Sequence, residues 1–130
     1  MEEIIKEIKP VNKLYIKWID DILGWGVFSE NKIKEGELVE SCYCVMDNYI
    51  TSPLKDYIFG HHGSLDVYHC FGFGPIYNHN DLPNIRWKKD PYNPIINFYA
   101  IKDIECGEEI CHNYGSTYWV NKNKKVKKII

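Results

Sequence analysis

Ile76-Tyr77-Asn78-His79-Asn80-Asp81-Leu82-Pro83-Asn84 is a polar run set between apolar neighbours in a 130-residue chain. Phe71-Gly72-Phe73-Gly74-Pro75 leads into it, and the strand-like Ile85-Arg86-Trp87 follows. Three Asn, one His and one Asp in nine residues cannot be buried as ordinary core. Each polar group left unpaired in the interior costs about 1–3 kcal/mol. Taken alone, the run is a solvated turn capped by Asn and Pro, or a set of amides and an imidazole waiting for partners. The rest of the chain decides between the two.

The length fits one domain, residues 1–130, with a core at about 14–119 and a basic tail at 121–130. Ten Tyr and four Trp fit an aromatic-lined pocket, and equally a β-rich core. The tail holds Lys122, Lys124, Lys125, Lys127 and Lys128 and no acid. Of the sixteen Lys and Arg, eleven then remain against eighteen acids, giving the body a charge of −7. Such a body disfavours nucleic acid as the primary ligand and suits a lysine-containing basic protein or peptide. The odd number of cysteines, five, and the lack of a signal peptide or an apolar run of membrane-spanning length predict an intracellular chain with reduced thiols and no membrane partner.

The segment 1–13 reads as either a short helix or an edge strand. Leu14–Ile19, Leu38–Val45, Ile85–Trp87 and Ile95–Ile101 have the β-branched and aromatic density of strands. Leu54–Phe59 reads as a helical turn, Lys88–Pro94 as a loop, and Tyr118–Val120 as a short helix or extended tail. Gly24-Trp25-Gly26 reads as a tight turn or bulge, or as backbone laid against a ligand. Ile33-Lys34-Glu35-Gly36-Glu37-Leu38-Val39 returns as Ile104-Glu105-Cys106-Gly107-Glu108-Glu109-Ile110, each copy a glycine turn feeding a short strand. Many short strands between glycine turns predict a mostly β fold with few short helices.

No G-x-S-x-G elbow, G-x-x-x-x-G-K-[ST] loop or G-x-G-x-x-G fingerprint occurs, so hydrolase and nucleotide readings lose their usual support. Cys42, Cys44, His61, His62, His69 and Cys70 supply possible metal donors, but structural zinc favours C-x-x-C pairs and none is present. Cys42 and Cys44, two apart on a strand, read instead as small apolar residues on one face.

What remains is Gly24-Trp25-Gly26, then Asn78-His79 with Pro83-Asn84, then Gly107-Glu108-Glu109-Ile110 leading to Tyr114-Gly115. From about Tyr15 to Trp119 this order resembles the SET domain of protein lysine methyltransferases. There a G-x-G, an N-H-x-x-x-P-N and a G-E-E-[LI]-x-x-x-Y segment form the active site together. The Gly72-Phe73-Gly74-Pro75-Ile76-Tyr77-Asn78-His79 approach and Tyr114–Trp119 look most like the compact stand-alone SET proteins of large algal DNA viruses. The resemblance implies a SET-domain β-fold of several short sheets, with a pseudoknot-like threading of the C-terminal segment.

It also implies an enzyme, a protein (histone) lysine N-methyltransferase using S-adenosylmethionine and releasing S-adenosylhomocysteine. Its substrate would be a basic protein, a histone tail above all, in the nucleus (a host nucleus if viral) or cytoplasm, and small viral relatives suggest a homodimer. Gly24, Trp25, Gly26, Asn78, His79, Tyr114 and Trp119 would line the cofactor. Tyr114 would be catalytic, and Tyr57, His112, Tyr114 and Tyr118 would line the substrate channel. His112 stands where many relatives carry the Phe or Tyr that governs how many methyls are added. Asn113 replaces a frequent Asp, and Asn80-Asp81 a frequent Ser-Cys, neither with an expected loss of core contact. Two other readings remain: a catalytically silent SET-fold module that binds a basic peptide, and a small β-domain with structural metal.

Overall fold

Strand β1 (Leu14–Asp20) turns back into β2 (Gly24–Ser29) as an antiparallel hairpin. The turn is made by Asp20, whose Oδ1 accepts the N–H groups of Ile22 at 2.9 Å and Leu23 at 2.7 Å. A short polar side chain that mimics backbone is the usual device for such a reversal. This computed structural model describes residues 4–47, 58–60 and 67–114, and among them the N-terminal residues 4–13 form neither helix nor strand.

Five strands make the main sheet: β3 (Leu38–Asp47), β4 (Ile58–Gly60), β5 (Val67–Phe71), β7 (Ile85–Lys89) and β8 (Ile95–Ala100). They lie in the order β4-β5-β3-β8-β7, antiparallel throughout. One face carries Cys42, Cys44, Phe59, Cys70, Ile96 and Phe98 into the core, as alternation along a strand requires. Cys42 and Cys44 are buried there as small apolar residues. A hydrogen bond with Cys42, together with burial, raises the Cys70 pKa, so its thiol stays protonated and unreactive.

Two expectations need correction. Ile58–Gly60 is a strand paired with β5, not the end of a helical turn, while the rest of Leu54–Phe59 lies outside the described residues. A short apolar run fits either period, and here the free edge of β5 decides it. The β7–β8 loop is also shorter than expected, because Lys88 and Lys89 pair with Asn97 and Ile96. The described helical content is one 3-10 turn, Gly74–Ile76. Among the described residues no helix is long and apolar enough to cross a membrane.

The two glycine-turn copies pair with each other. Ile33 and Ile104 form an antiparallel bridge, exchanging N–H···O bonds of 2.9 and 2.7 Å. In each copy the Glu after the Gly folds back onto the turn: Glu37 Oε1 accepts Lys34 N–H at 2.7 Å and Glu108 Oε1 accepts Glu105 N–H at 3.0 Å. Gly36 and Gly107 take φ of 87° and 80°, where a Cβ is strained, so the shared G-E spacing is turn chemistry.

The last elements are two-residue strands, β6 (Asn78–His79) and β9 (Cys111–His112), which pair in parallel. The loop after β6 closes over β9. Asn80 N–H donates to His112 O at 3.0 Å, and Asn84 N–H donates to Cys111 O at 3.1 Å. The Asn84 amide acts as a strand of its own: its Nδ2 donates to Glu109 O at 2.8 Å and its Oδ1 accepts Cys111 N–H at 2.8 Å. The C-terminal segment is therefore clasped within residues 78–84, the threading that the resemblance implied.

Candidate functional site

This clasp brings the three sequence motifs to one place. Ile110 N–H donates to Val27 O at 2.8 Å, setting the third motif beside the glycine strand β2. Asn78, 3% exposed, joins all three: its Nδ2 donates to Trp25 O at 3.0 Å and to Glu109 Oε2 at 2.7 Å. Gly26 makes this approach possible. A Cβ there would stand 2.6 Å from both Glu109 Oε2 and Ile19 Cδ1, so the ends of both side chains would have to move, the Glu109 end away from Asn78. Gly24, with φ of 71°, opens the strand opposite Asp20.

Tyr114 is held at both ends. Its backbone N–H donates to His79 Nδ1 at 2.9 Å, and its hydroxyl donates to the Tyr77 carbonyl at 2.7 Å. Because the hydroxyl proton is committed to Tyr77, the oxygen's lone pairs face elsewhere as acceptors. Tyr77 is itself fixed, fully buried, with its hydroxyl donating to Glu40 Oε1 at 2.6 Å. Burial, and then the Glu40 charge, hold the Tyr77 pKa well above its ordinary value, so the phenol keeps its proton. Burial likewise raises the Glu40 carboxyl, against the lowering effect of the Tyr77 hydrogen bond.

His112, 6% exposed, lies in an aromatic nest. Phe59 stacks on it with centroids 5.8 Å apart, Tyr77 meets it edge-on at 6.4 Å, and Tyr114 tilts against it at 4.8 Å. Burial, with a smaller effect of His79, lowers its pKa to about 3, so the ring is neutral near pH 7. Its Nδ1 is buried with no hydrogen-bond partner among the described residues.

Of the sequence-derived site residues, Asn78, His79, His112 and Tyr114 converge here with Gly26 and the Trp25 carbonyl, while Gly24 stands at the hairpin end against Trp18. Tyr57, Tyr118 and Trp119 lie outside the described residues. Glu109, Glu40 and Asp81 are not among the sequence-derived site residues, although each bonds a residue of the quoted segments. Glu109 was visible only as the second acid of G-E-E. Glu40 carries no local signal.

An adenosyl sulfonium suits this arrangement. Trp25 is half exposed, its ring edge-on to Trp18 at 5.8 Å and its carbonyl bonded to the buried Asn78 amide, so an apolar flat side chain and the site's polar groups come from one short stretch of β2. The Tyr114 oxygen, with its proton donated to the Tyr77 carbonyl, has the acceptor character that suits positive charge.

The fission yeast Schizosaccharomyces pombe protein named histone-lysine N-methyltransferase, H3 lysine-37 specific, is 42% identical over 50 residues, 38% of this chain. The match spans about a third (34%) of that relative's length. The crystal structure of a Plasmodium falciparum protein described as a candidate histone methyltransferase superposes with a TM-score of 0.67 at 32% identity, covering 83% of this chain and 97% of that one. The family model described as SET domain matches residues 24–115, from the first glycine of β2 to the residue after Tyr114, and the chain belongs to the SET-domain family.

Proposed function

We propose that the chain is an S-adenosylmethionine-dependent protein lysine N-methyltransferase acting on a lysine-rich basic peptide, a histone tail in the first place. The observation that carries this reading is the double anchoring of Tyr114 where the three motifs meet. Bound here, the cofactor would supply a methyl group made electrophilic by its sulfonium. Gly24, Trp25, Asn78 and His79 would hold it, with Trp119 covering the adenine.

Tyr114 does the positioning. Its oxygen, a pure acceptor once its proton is given to Tyr77, takes an N–H of the incoming amine and turns the amine lone pair toward the methyl. The same partial negative charge favours positive charge nearby. The amine must arrive neutral, against an ordinary pKa near 10.4. His112 cannot take its proton, because a base of pKa about 3 does not deprotonate such an amine. The sulfonium charge and an aromatic surround such as Phe59, Tyr77 and Tyr114 would disfavour the ammonium instead, so no dedicated base is assigned.

Tyr114→Phe tests the mechanism. Transfer to core histones with labelled cofactor should fall about 10²–10³-fold, the cost of removing one such polar group. Loss of the bond to Tyr77 should lower the melting temperature by only a few degrees. Unchanged transfer by that variant refutes the role of Tyr114. Calorimetry separates the silent peptide-binding module, which would not bind the cofactor. Mass spectrometry of the product then counts the methyls added beside His112.

A further inference from the structure

Asp81 is left unused by methyl transfer as described, yet it is bonded to the site. Its side chain is 68% exposed, but its Oδ1 lies 2.7 Å from Nε2 of His79, whose side chain is 2% exposed. The loop is built to bring it there. Asn80 N–H is pinned to His112 O, and Asn80 Oδ1 accepts Leu82 N–H at 2.7 Å, folding the chain back over β6. Asn84 closes the loop on the far side through Glu109 and Cys111.

The other ring nitrogen settles the protonation pattern. Nδ1 of His79 faces the Tyr114 N–H at 2.9 Å, and an amide N–H can only donate, so Nδ1 must present a lone pair. In the neutral ring the proton is then on Nε2, where it is donated to Asp81. One tautomer alone satisfies both neighbours. The opposite tautomer sets two donors face to face at Tyr114 and leaves Asp81 without a proton to accept.

We infer that Asp81 is a positioning residue for Tyr114: its carboxylate, through the Nε2–H bond, holds His79 in the orientation and tautomer that anchor the Tyr114 backbone. The inference rests on the methyl-transfer reading of Tyr114. Carboxylates that orient a working imidazole commonly matter 10–100-fold when removed. Misplacement of a reacting group by about 1 Å can cost about 10²-fold, so the orientation of a residue tied at both ends is worth this much.

Two variants of the full chain test it. Asp81→Ala should lower kcat about 10-fold while the peptide KM changes less than about twofold. Asp81→Asn keeps an acceptor oxygen for Nε2–H and should recover most of that kcat. Nitrogen-15 NMR on histidine-labelled protein should show one Nε2–H tautomer for His79 in the wild type. Asp81→Ala should show a mixture, with faster solvent exchange of the Tyr114 amide. Unchanged kcat and tautomer in Asp81→Ala overturn the inference. So does an equal loss in both variants that tracks a common fall in melting temperature. If the wild type transfers no methyl while the tautomer still shifts in Asp81→Ala, the methyl-transfer reading fails and the Asp81–His79–Tyr114 linkage stands.

Discussion

His112 shows how much one imidazole can carry. Burial among Phe59, Tyr77 and Tyr114 lowers its pKa from about 6.5 to about 3. As pH falls through 6.5 the unfolded chain takes up a proton on this residue, and the folded chain refuses it until about pH 3. The stability tied to a neutral His112 is therefore complete above pH 6.5 and is lost as pH drops toward 3. By pH 5 the loss should be on the order of 2 kcal/mol. Phenylalanine fills similar space, takes up no proton and removes the orphaned Nδ1. His112→Phe should be at least as stable as wild type at pH 7.5, and its advantage should widen at pH 5. Urea unfolding at the two pH values measures this. Parallel losses in the two proteins would assign the acid sensitivity to other groups.

At the scale of elements, Asn84 is the clasp. Buried to 4% exposure, it bonds one edge of the segment held by residues 78–84, at the Glu109 carbonyl and the Cys111 N–H. Asn84→Ala strands the buried Cys111 N–H and the Glu109 carbonyl, at about 1–3 kcal/mol each. The melting temperature should fall by roughly 10 °C, against a degree or two for Asn80→Ala at an exposed turn. Thermal unfolding followed by circular dichroism decides, and equal shifts for both variants would remove Asn84 from this role. Strands β1, β3, β7 and β8 were legible in the sequence because β-branched and aromatic density is local, whereas β2 reads as a glycine turn and β5 was not singled out. Strand β4 was not legible either, since Ile58-Phe59 fits two periods and its partner comes later in the chain. The glycine turns were read correctly as turns. That Ile33 pairs with Ile104 was hidden, because nothing local to either residue names its partner.

For the whole molecule, the order of three motifs made the fold and most of the candidate site legible, and their physical coupling was not. Asn78 was read as a cofactor ligand, yet its Nδ2 also ties Trp25 to Glu109, so Asn78→Ala should cost stability as well as affinity. Asp81 was read as a neutral departure, and it holds His79. Such couplings depend on loop geometry that composition does not encode. Charge, in contrast, is written in the sequence. A body of −7 offset by five tail lysines implies that a basic peptide is drawn by the body and repelled by the tail. Replacing those five lysines with glutamine leaves the chain at −7 without shortening it. At about 10 mM ionic strength, where fields reach roughly 30 Å, the variant should show a several-fold lower KM for a lysine-rich peptide than wild type. At about 1 M salt, with fields cut to roughly 3 Å, the two KM values should converge while kcat stays alike throughout. A KM difference that persists at high salt would mean that the lysines touch the peptide or the site directly, and that the long-range account is wrong.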